Sequence, residues 1–219
     1  MNSYTEENYL KTIYQILEKG VSEVSTNAIA EQMNTKAASV TDMLKKLADK
    51  KLIHYQKYQG VSLTGKGKKI ALNIIRKHRL WEVLLVEKLN FKWDEVHDIA
   101  EQLEHINSQE LVERLDLFLN YPKFDPHGDP IPDANGKFHL QKSLPLSQLK
   151  KNNTGVMTGV VDHSTAFLQY LEKISILLGN EIQIKEITEY DNSFYISVNK
   201  KKHVYISNQI AQNILVSAK

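Results

Sequence analysis

The chain has 219 residues, no cysteine and a formal charge of only +2, from 28 Lys+Arg against 26 Asp+Glu. Its 42% apolar and 25% charged residues exclude a disordered, collagen-like or coiled-coil chain, and no apolar run approaches the roughly 18 residues needed to span a bilayer. Without cysteine there is no disulfide, cysteine nucleophile or thiolate metal site, so any metal must be held by histidine, carboxylate, amide or backbone oxygen.

At the N-terminus, Tyr9, Leu10, Ile13, Tyr14 and Leu17 recur at helix spacing behind the capping pair Ser3 and Glu6, which predicts a helix over Thr5 to Glu18. Ile29 and Met33, then Val40, Leu44 and Leu47 after a short break, predict two short helices joined by a tight turn. The second begins among small and polar residues, Thr35, Lys36, Ala37, Ser39, Thr41 and Asp42, where a recognition helix meets base edges. Lys45, Lys46, Lys50 and Lys51 follow at positions suited to phosphate. Leu52 to Tyr58 and Val61 to Leu63, separated by Gln59-Gly60, read as a hairpin, and Thr64 caps the next helix. Helix, turn, helix and basic-flanked hairpin in this order predict a winged DNA-binding head, with Lys45 and Lys57 on the DNA backbone.

The next helix carries Arg76-Lys-His78-Arg-Leu-Trp-Glu82, and a further one is expected to carry Trp93 through His97, Glu101, Glu104 and His105. At about 100° per residue, positions 97, 101, 104 and 105 fall at roughly 0°, 40°, −20° and 80°, on one side of one helix. His78 and Glu82 share a face at i, i+4. Imidazole with carboxylate and no sulfur favours Mn(II) or Fe(II), with Zn(II), Co(II) or Ni(II) able to compete. Charge follows the same division. Residues 1–75 carry 11 Lys+Arg and 7 Asp+Glu (+4), residues 76–140 carry 8 and 13 (−5), and residues 141–219 carry 9 and 6 (+3).

All five prolines lie between Tyr121 and Lys151, which predicts an ordered loop followed by a linker. Beyond it Glu181 to Ile187 and Ser193 to Val198 alternate as strands around the turn Tyr190-Asp-Asn. A small antiparallel sheet or barrel, with a short helix near Thr165 to Leu177, is expected to close the chain. The fold class is α+β, mainly helical.

The run TEENYLKTIY at Thr5, the winged head, RKHRLWE at Arg76, VHDIAEQLEH at Val96 and HGDPIP at His127 together resemble the diphtheria toxin repressor and manganese transport regulator family. That resemblance implies a DNA-binding domain over 1–72, a metal-binding and dimerisation domain over 73–140, a linker over 141–147 and a small FeoA-type β-barrel over 148–219. It places His78, Glu82 and His97 at an ancillary metal site and Glu101, Glu104 and His105 at a primary one. The first-helix ligand falls at Asn8, a neutral amide, and Glu7 beside it is expected to point elsewhere. Where iron-type members have cysteine this chain has Glu101, as manganese-type members do. Asp162 or His163 is the expected ligand from the C-terminal barrel.

The resemblance thus implies a homodimeric repressor, expected in the cytoplasm since no apolar run could span a bilayer, that binds palindromic operator half-sites about 34–36 Å apart when a divalent metal, Mn(II) before Fe(II), is bound, and that controls metal-uptake genes without a membrane or an enzymatic activity. A winged-helix regulator of a small organic ligand is the alternative, distinguished by indifference of DNA binding to loss of Glu104 and His105. A di-metal helical enzyme is the remote one, since only Glu101-x-x-Glu104-His105 is present and no second Glu-x-x-His occurs.

Overall fold

The capping pair seen in the sequence starts the first helix. Ser3 Oγ accepts the Glu6 N–H at 3.3 Å and the Glu6 carboxylate accepts the Ser3 N–H at 2.9 Å, so α1 runs over Tyr4–Leu17, one residue ahead of the expected span at each end. The computed structural model describes residues 3–56 and 60–218. Lys57, expected on the DNA backbone, lies outside them.

Ser25 caps α2 (Thr26–Gln32), accepting the Ala28 N–H, and the turn after it places Asn34 at φ 47°. α3 (Ala37–Asp49) buries Val40, Leu44 and Leu47 along one stripe, the i, i+4, i+7 spacing of a helix lying on a core. The hairpin follows, β1 (Ile53–Gln56) antiparallel to β2 (Gly60–Leu63), and Val24 bridges Val61 to add a third edge. Thr64 Oγ1 donates toward the Leu52 carbonyl and accepts the Gly67 N–H, tying the wing to α4 (Gly65–Glu87). A side chain at Gly67 would place its Cβ 1.9 Å from the Leu52 oxygen. Glycine is therefore required where the helix passes the strand.

The helix expected from Trp93 to His105 is much shorter. α5 covers only His97–Leu103; Trp93 to Val96 form turns ahead of it, and Glu104 and His105 lie in the turn that the Ile106 N–H closes onto the Leu103 carbonyl. The four residues 97, 101, 104 and 105 therefore do not project from one continuous helix face. Ser108 then caps α6 (Gln109–Phe118).

After the proline-rich loop, β3 (Leu144–Pro145), β4 (Thr154–Val160), β5 (Glu181–Ile187), β6 (Phe194–Val198), β7 (Lys202–Ile206) and β8 (Ile214–Ala218) form one antiparallel sheet in the order β3-β8-β4-β5-β6-β7. α7 (Thr165–Lys173) and α8 (Asn208–Asn213) accompany it. The FeoA-type assignment holds, but the sheet is open rather than a closed barrel. β3 is two residues long and ends in a proline without an N–H, while β7 exposes Lys202, His203 and Tyr205 at the other edge, so the two edges lack matching ladders. Met157, Ile182, Ile184, Ile196, Ile214 and Val216 form its core, which Trp93 from the helical region joins.

Packing divides the chain into two units, residues 1–78 with 101–112 and 132–137, and residues 79–100 with 113–131 and 138–219.

Candidate metal centres and nucleic-acid interface

In the first unit, α1 supplies one wall of a polar cluster and the stretch 101–105 supplies the other. Glu104 is 1% exposed. Its Oε2 lies 2.6 Å from His78 Nδ1 and 2.7 Å from Lys11 Nζ, and its Oε1 lies 3.8 Å from His105 Nε2. Lys11 Nζ also reaches Glu101 Oε1 at 3.4 Å. Burial alone would raise the Glu104 carboxyl, but the His78 hydrogen bond and the Lys11 charge outweigh it and hold the group below the usual carboxylate range. Glu7, expected to point away, is part of this cluster: its Oε2 is 2.7 Å from His105 Nδ1. That bond puts the proton on Nδ1 and leaves the Nε2 lone pair on the side of Glu104, the carboxylate–histidine arrangement that orients a metal ligand. Asn8 Oδ1 is buried without a hydrogen-bond partner. An orphaned amide oxygen on the helix that borders two carboxylates and an oriented imidazole fits a divalent cation, because each of these atoms is a lone-pair donor.

The second unit holds a cluster that sequence reasoning missed. One ligand atom each from Glu82, Asp125 and His127, all buried, lie within 4.8 Å of one another. His127 Nε2 donates to the Trp93 carbonyl at 2.8 Å, and its Nδ1 lies 3.8 Å from Glu82 Oε2. Asp125 accepts the N–H groups of His127 and Asp129 and pairs with Arg79 Nε at 3.5 Å. Burial, Asp129 and Glu82 together push the Asp125 carboxyl up. Burial opposes charge on His127, yet Glu82 and Asp125 raise it to about 9. Protons stand where a cation would neutralise the same carboxylates. The loop carrying these groups rests on the sheet: Val160 N–H donates to the His127 carbonyl, and a Cβ on Gly128 (φ +92°) would sit 2.1 Å from the Thr158 oxygen. The signal was present in HGDPIP as a histidine flanked by aspartates and a positive-φ glycine, but nothing in its spacing tied it to Glu82, some 45 residues earlier.

Of the expected ancillary residues, Glu82 Oε1 is 3.8 Å from His97 Nδ1, while His78 stands one turn before Glu82 on α4 and directs Nδ1 to Glu104. His163 stacks on His127 with ring centroids 5.0 Å apart and lies 4.0 Å from Asp129. Asp162 instead caps its own turn, accepting the Ser164 N–H, so its Oδ1 is engaged locally.

On the head, Thr35, Lys36, Ala37, Ser39, Asp42 and Lys45 are exposed at or near the start of α3. Thr41 is half-buried and spends its hydroxyl on the Ala37 carbonyl at 3.0 Å, which removes that donor from base reading. Lys45 pairs with Asp42 at 3.2 Å. Lys46 and Lys50 turn back to Glu6, at 3.0 and 2.7 Å. Although 1% exposed, Glu6 is held at about 2, because Lys50, the Ser3 N–H and Lys46 outweigh its burial. Glu6 joins α1 to α3, and the capping pattern that predicted its helix gave no sign of this second bond.

The fold and these donor sets define a winged helix-turn-helix protein with a histidine–carboxylate centre. Residues 1–61 match the family model "Iron dependent repressor, N-terminal DNA binding domain", residues 64–133 match "Iron dependent repressor, metal binding and dimerisation domain", and residues 144–218 match the FeoA domain. The diphtheria toxin repressor of Corynebacterium efficiens is 33% identical over 178 residues, 81% of this chain and 72% of that protein. The iron-dependent repressor IdeR of Mycobacterium tuberculosis is 37% identical over 128 residues, 58% of this chain and 55% of that protein, so the match spans about half the length of the mycobacterial relative. A solved manganese-dependent transcriptional repressor in complex with manganese superposes with TM-score 0.85 at 33% identity, covering 98% of this chain and 100% of that one. The manganese regulator SloR does so at 0.73 and 34%, covering 98% of each. The chain belongs to the diphtheria toxin repressor family of metal-dependent repressors. Its relatives are named repressors rather than enzymes, and the di-metal enzyme expectation is dropped. Among the described residues, no helix is long and apolar enough to cross a membrane.

Proposed function

We propose that this protein is a homodimeric, cytoplasmic repressor whose operator binding is switched on by Mn(II), with Fe(II) as the next candidate, and that its targets are metal-uptake genes. In this reading the chain is organised as domains 1–72, 73–140 and 148–219 about a linker at 141–147. The observation that carries it is the double engagement of α1. One face of this single helix brings Glu7 and Lys11 to the cluster of Glu101, Glu104 and His105, while Glu6 grips the recognition helix through Lys46 and Lys50. Two sites biasing one shared element is the physical requirement for coupled binding.

Asn8, Glu101, Glu104 and His105 would hold the primary ion. Glu82, His97 and His127, with Asp125 and His163 beside them, would hold an ancillary one, to which the family resemblance also assigns His78, and Asp162 is the weaker candidate from the sheet. A bound ion supplies positive charge to buried carboxylates; Glu7 orients His105 and Trp93 orients His127. Oxygen-rich ligation without sulfur favours manganese. Thr35, Lys36, Ala37, Ser39 and Asp42 would meet bases, and Lys45 phosphate. The exposed Leu89, Leu117, Phe118 and Tyr121 of the second unit offer apolar surface for a second copy, which would set paired heads on a palindromic operator.

A cleft of about 860 Å³ lined by Lys68, Lys69, Asn73, Arg76 and Asn135 together with Glu7 and Asp133 supports the alternative, a small organic ligand as effector. Fluorescence anisotropy on operator DNA, titrated with Mn(II), Fe(II) and Zn(II) and reversed with chelator, separates the two. Operator affinity that ignores the chelator contradicts metal activation.

A further inference from the structure

The primary donor set contains a cation that belongs to the protein. Lys11 Nζ lies 2.7 and 3.0 Å from the two oxygens of Glu104 and 3.4 Å from Glu101 Oε1 and from His78 Nδ1. Its side chain is 8% exposed, so the ammonium has given up water for these groups. Such burial is tolerated only because the partner charge is there, and Glu104, itself 1% exposed, depends on Lys11 in the same way. The Lys11 stem comes from α1, one turn beyond Glu7 and Asn8.

A divalent ion on Glu104 would meet the ammonium across one carboxylate. Metal–oxygen bonds are about 2.0–2.2 Å long, so at the observed 2.7 Å the two cations would share one buried oxygen, and Coulomb repulsion there is strong. We propose that Lys11 is the resident cation of the metal-free primary site, a tethered competitor that the incoming ion must displace. Through it the protein sets how much metal is needed. The proposal rests on the metal reading of Glu101, Glu104 and His105 given above.

The occupant also has a purpose in the absence of metal. With Lys11 in place, α1 stays attached to the 101–105 turn by an ion pair rather than by metal bonds, and the buried carboxylate is neutralised. Displacement frees a long side chain from the interior of a helix that also carries Glu6 to the recognition helix.

The test uses the full chain at fixed pH and salt. Isothermal titration with Mn(II) and thermal melts with and without Mn(II) are compared for wild type, Lys11→Met, Lys11→Gln and Lys11→Arg. Lys11→Met and Lys11→Gln are expected to bind Mn(II) about tenfold more tightly or better, since the competing charge is gone. They are also expected to melt lower without metal and close to wild type with it, while Lys11→Arg retains the wild-type behaviour. A purely structural lysine would lower both melts equally and leave affinity unchanged, and that result overturns the proposal. So does tighter binding in Lys11→Arg to the same extent as in Lys11→Met. Should Lys11→Met fail to fold without metal, Lys11→Gln gives the same comparison with a polar group of similar length. Wild-type protein that binds no Mn(II), or binds it as well after Glu104→Ala, defeats the metal reading itself and this proposal with it. Normal wild-type binding with unchanged affinity in both neutral variants defeats only the role of Lys11.

Discussion

The two histidine–carboxylate clusters use the same ligand types and balance charge in opposite ways. In the first unit an ammonium sits among the acids and holds Glu104 ionised. In the second, Glu82, Asp125 and Asp129 outnumber Arg79, and the shortfall is met by protons, with Asp125 and His127 both raised. A site filled by a tethered cation gives it up as a conformational event on α1, whereas a site filled by protons releases them to solvent. The first arrangement suits a trigger and the second suits a stabilising ion that locks the 125–131 loop to the sheet.

The largest expected difference between the clusters is functional. Glu104→Ala with His105→Ala should abolish Mn(II)-dependent operator binding, whereas Glu82→Gln with His127→Gln should lower the metal stoichiometry and weaken operator binding only partly; anisotropy with metal analysis of the same samples reads both. Glu104→Ala alone also strands the Lys11 ammonium, at a cost of about 3–5 kcal/mol by analogy with other broken buried pairs.

Stability without metal should respond to pH in opposite senses. Glu6 is depressed from 4.5 to about 2, so its contribution is present above 4.5 and is lost as pH falls toward 2. Glu104, also depressed, adds in the same direction. In the second unit His127 is raised from 6.5 to about 9, so its contribution is present below 6.5 and is lost as pH rises through 9; a raised Asp125 loses stability in the same rising direction. Trp81 and Trp93 both lie in residues 79–100 of the second unit, so tryptophan fluorescence melts report it alone. They should fall between about pH 6.5 and 9 without metal and much less with Mn(II). A melt rising over that interval would contradict the charge balance described here.

Gly128→Ala should cost about 1–3 kcal/mol through its clash with the Thr158 carbonyl, lower the same fluorescence melt, and leave Mn(II) binding at the primary cluster unchanged. The smallest effect is expected at Lys45→Ala, which should reduce the slope of log affinity against log salt by about 0.9 for one phosphate contact.

The helices of the head were legible because each carried a local signal: the Ser3–Glu6 capping pair, the Val40-Leu44-Leu47 stripe, and the Thr64 cap with Gly67. β5 was legible to the residue from clean alternation. The end of α5 was not, since no glycine or proline marks Leu103, and the pattern of ligands continued through a turn that only the packed structure shows. Closure of the sheet depends on pairing between distant edges, which no strand carries in its own sequence. In the sites, ligand types at Glu101, Glu104 and His105 could be read from spacing, but Glu7 on His105 and Lys11 among the acids are long-range pairings, separated by 98 and 93 residues, and Asp125 and His127, only two residues apart, join Glu82 through the fold alone. Glu7 was misjudged, and the second role of Glu6 beyond its cap went unseen, for the same reason: adjacent positions on one helix face different partners.

The central claim is that the primary cluster and the recognition helix bias one shared element. Measuring operator affinity with and without Mn(II), and Mn(II) affinity with and without operator DNA, tests it directly through the reciprocity that linkage demands. The account predicts that each ligand tightens the other by the same factor and that Glu104→Ala removes both effects. Equal operator affinity in Mn(II) and in chelator would contradict it.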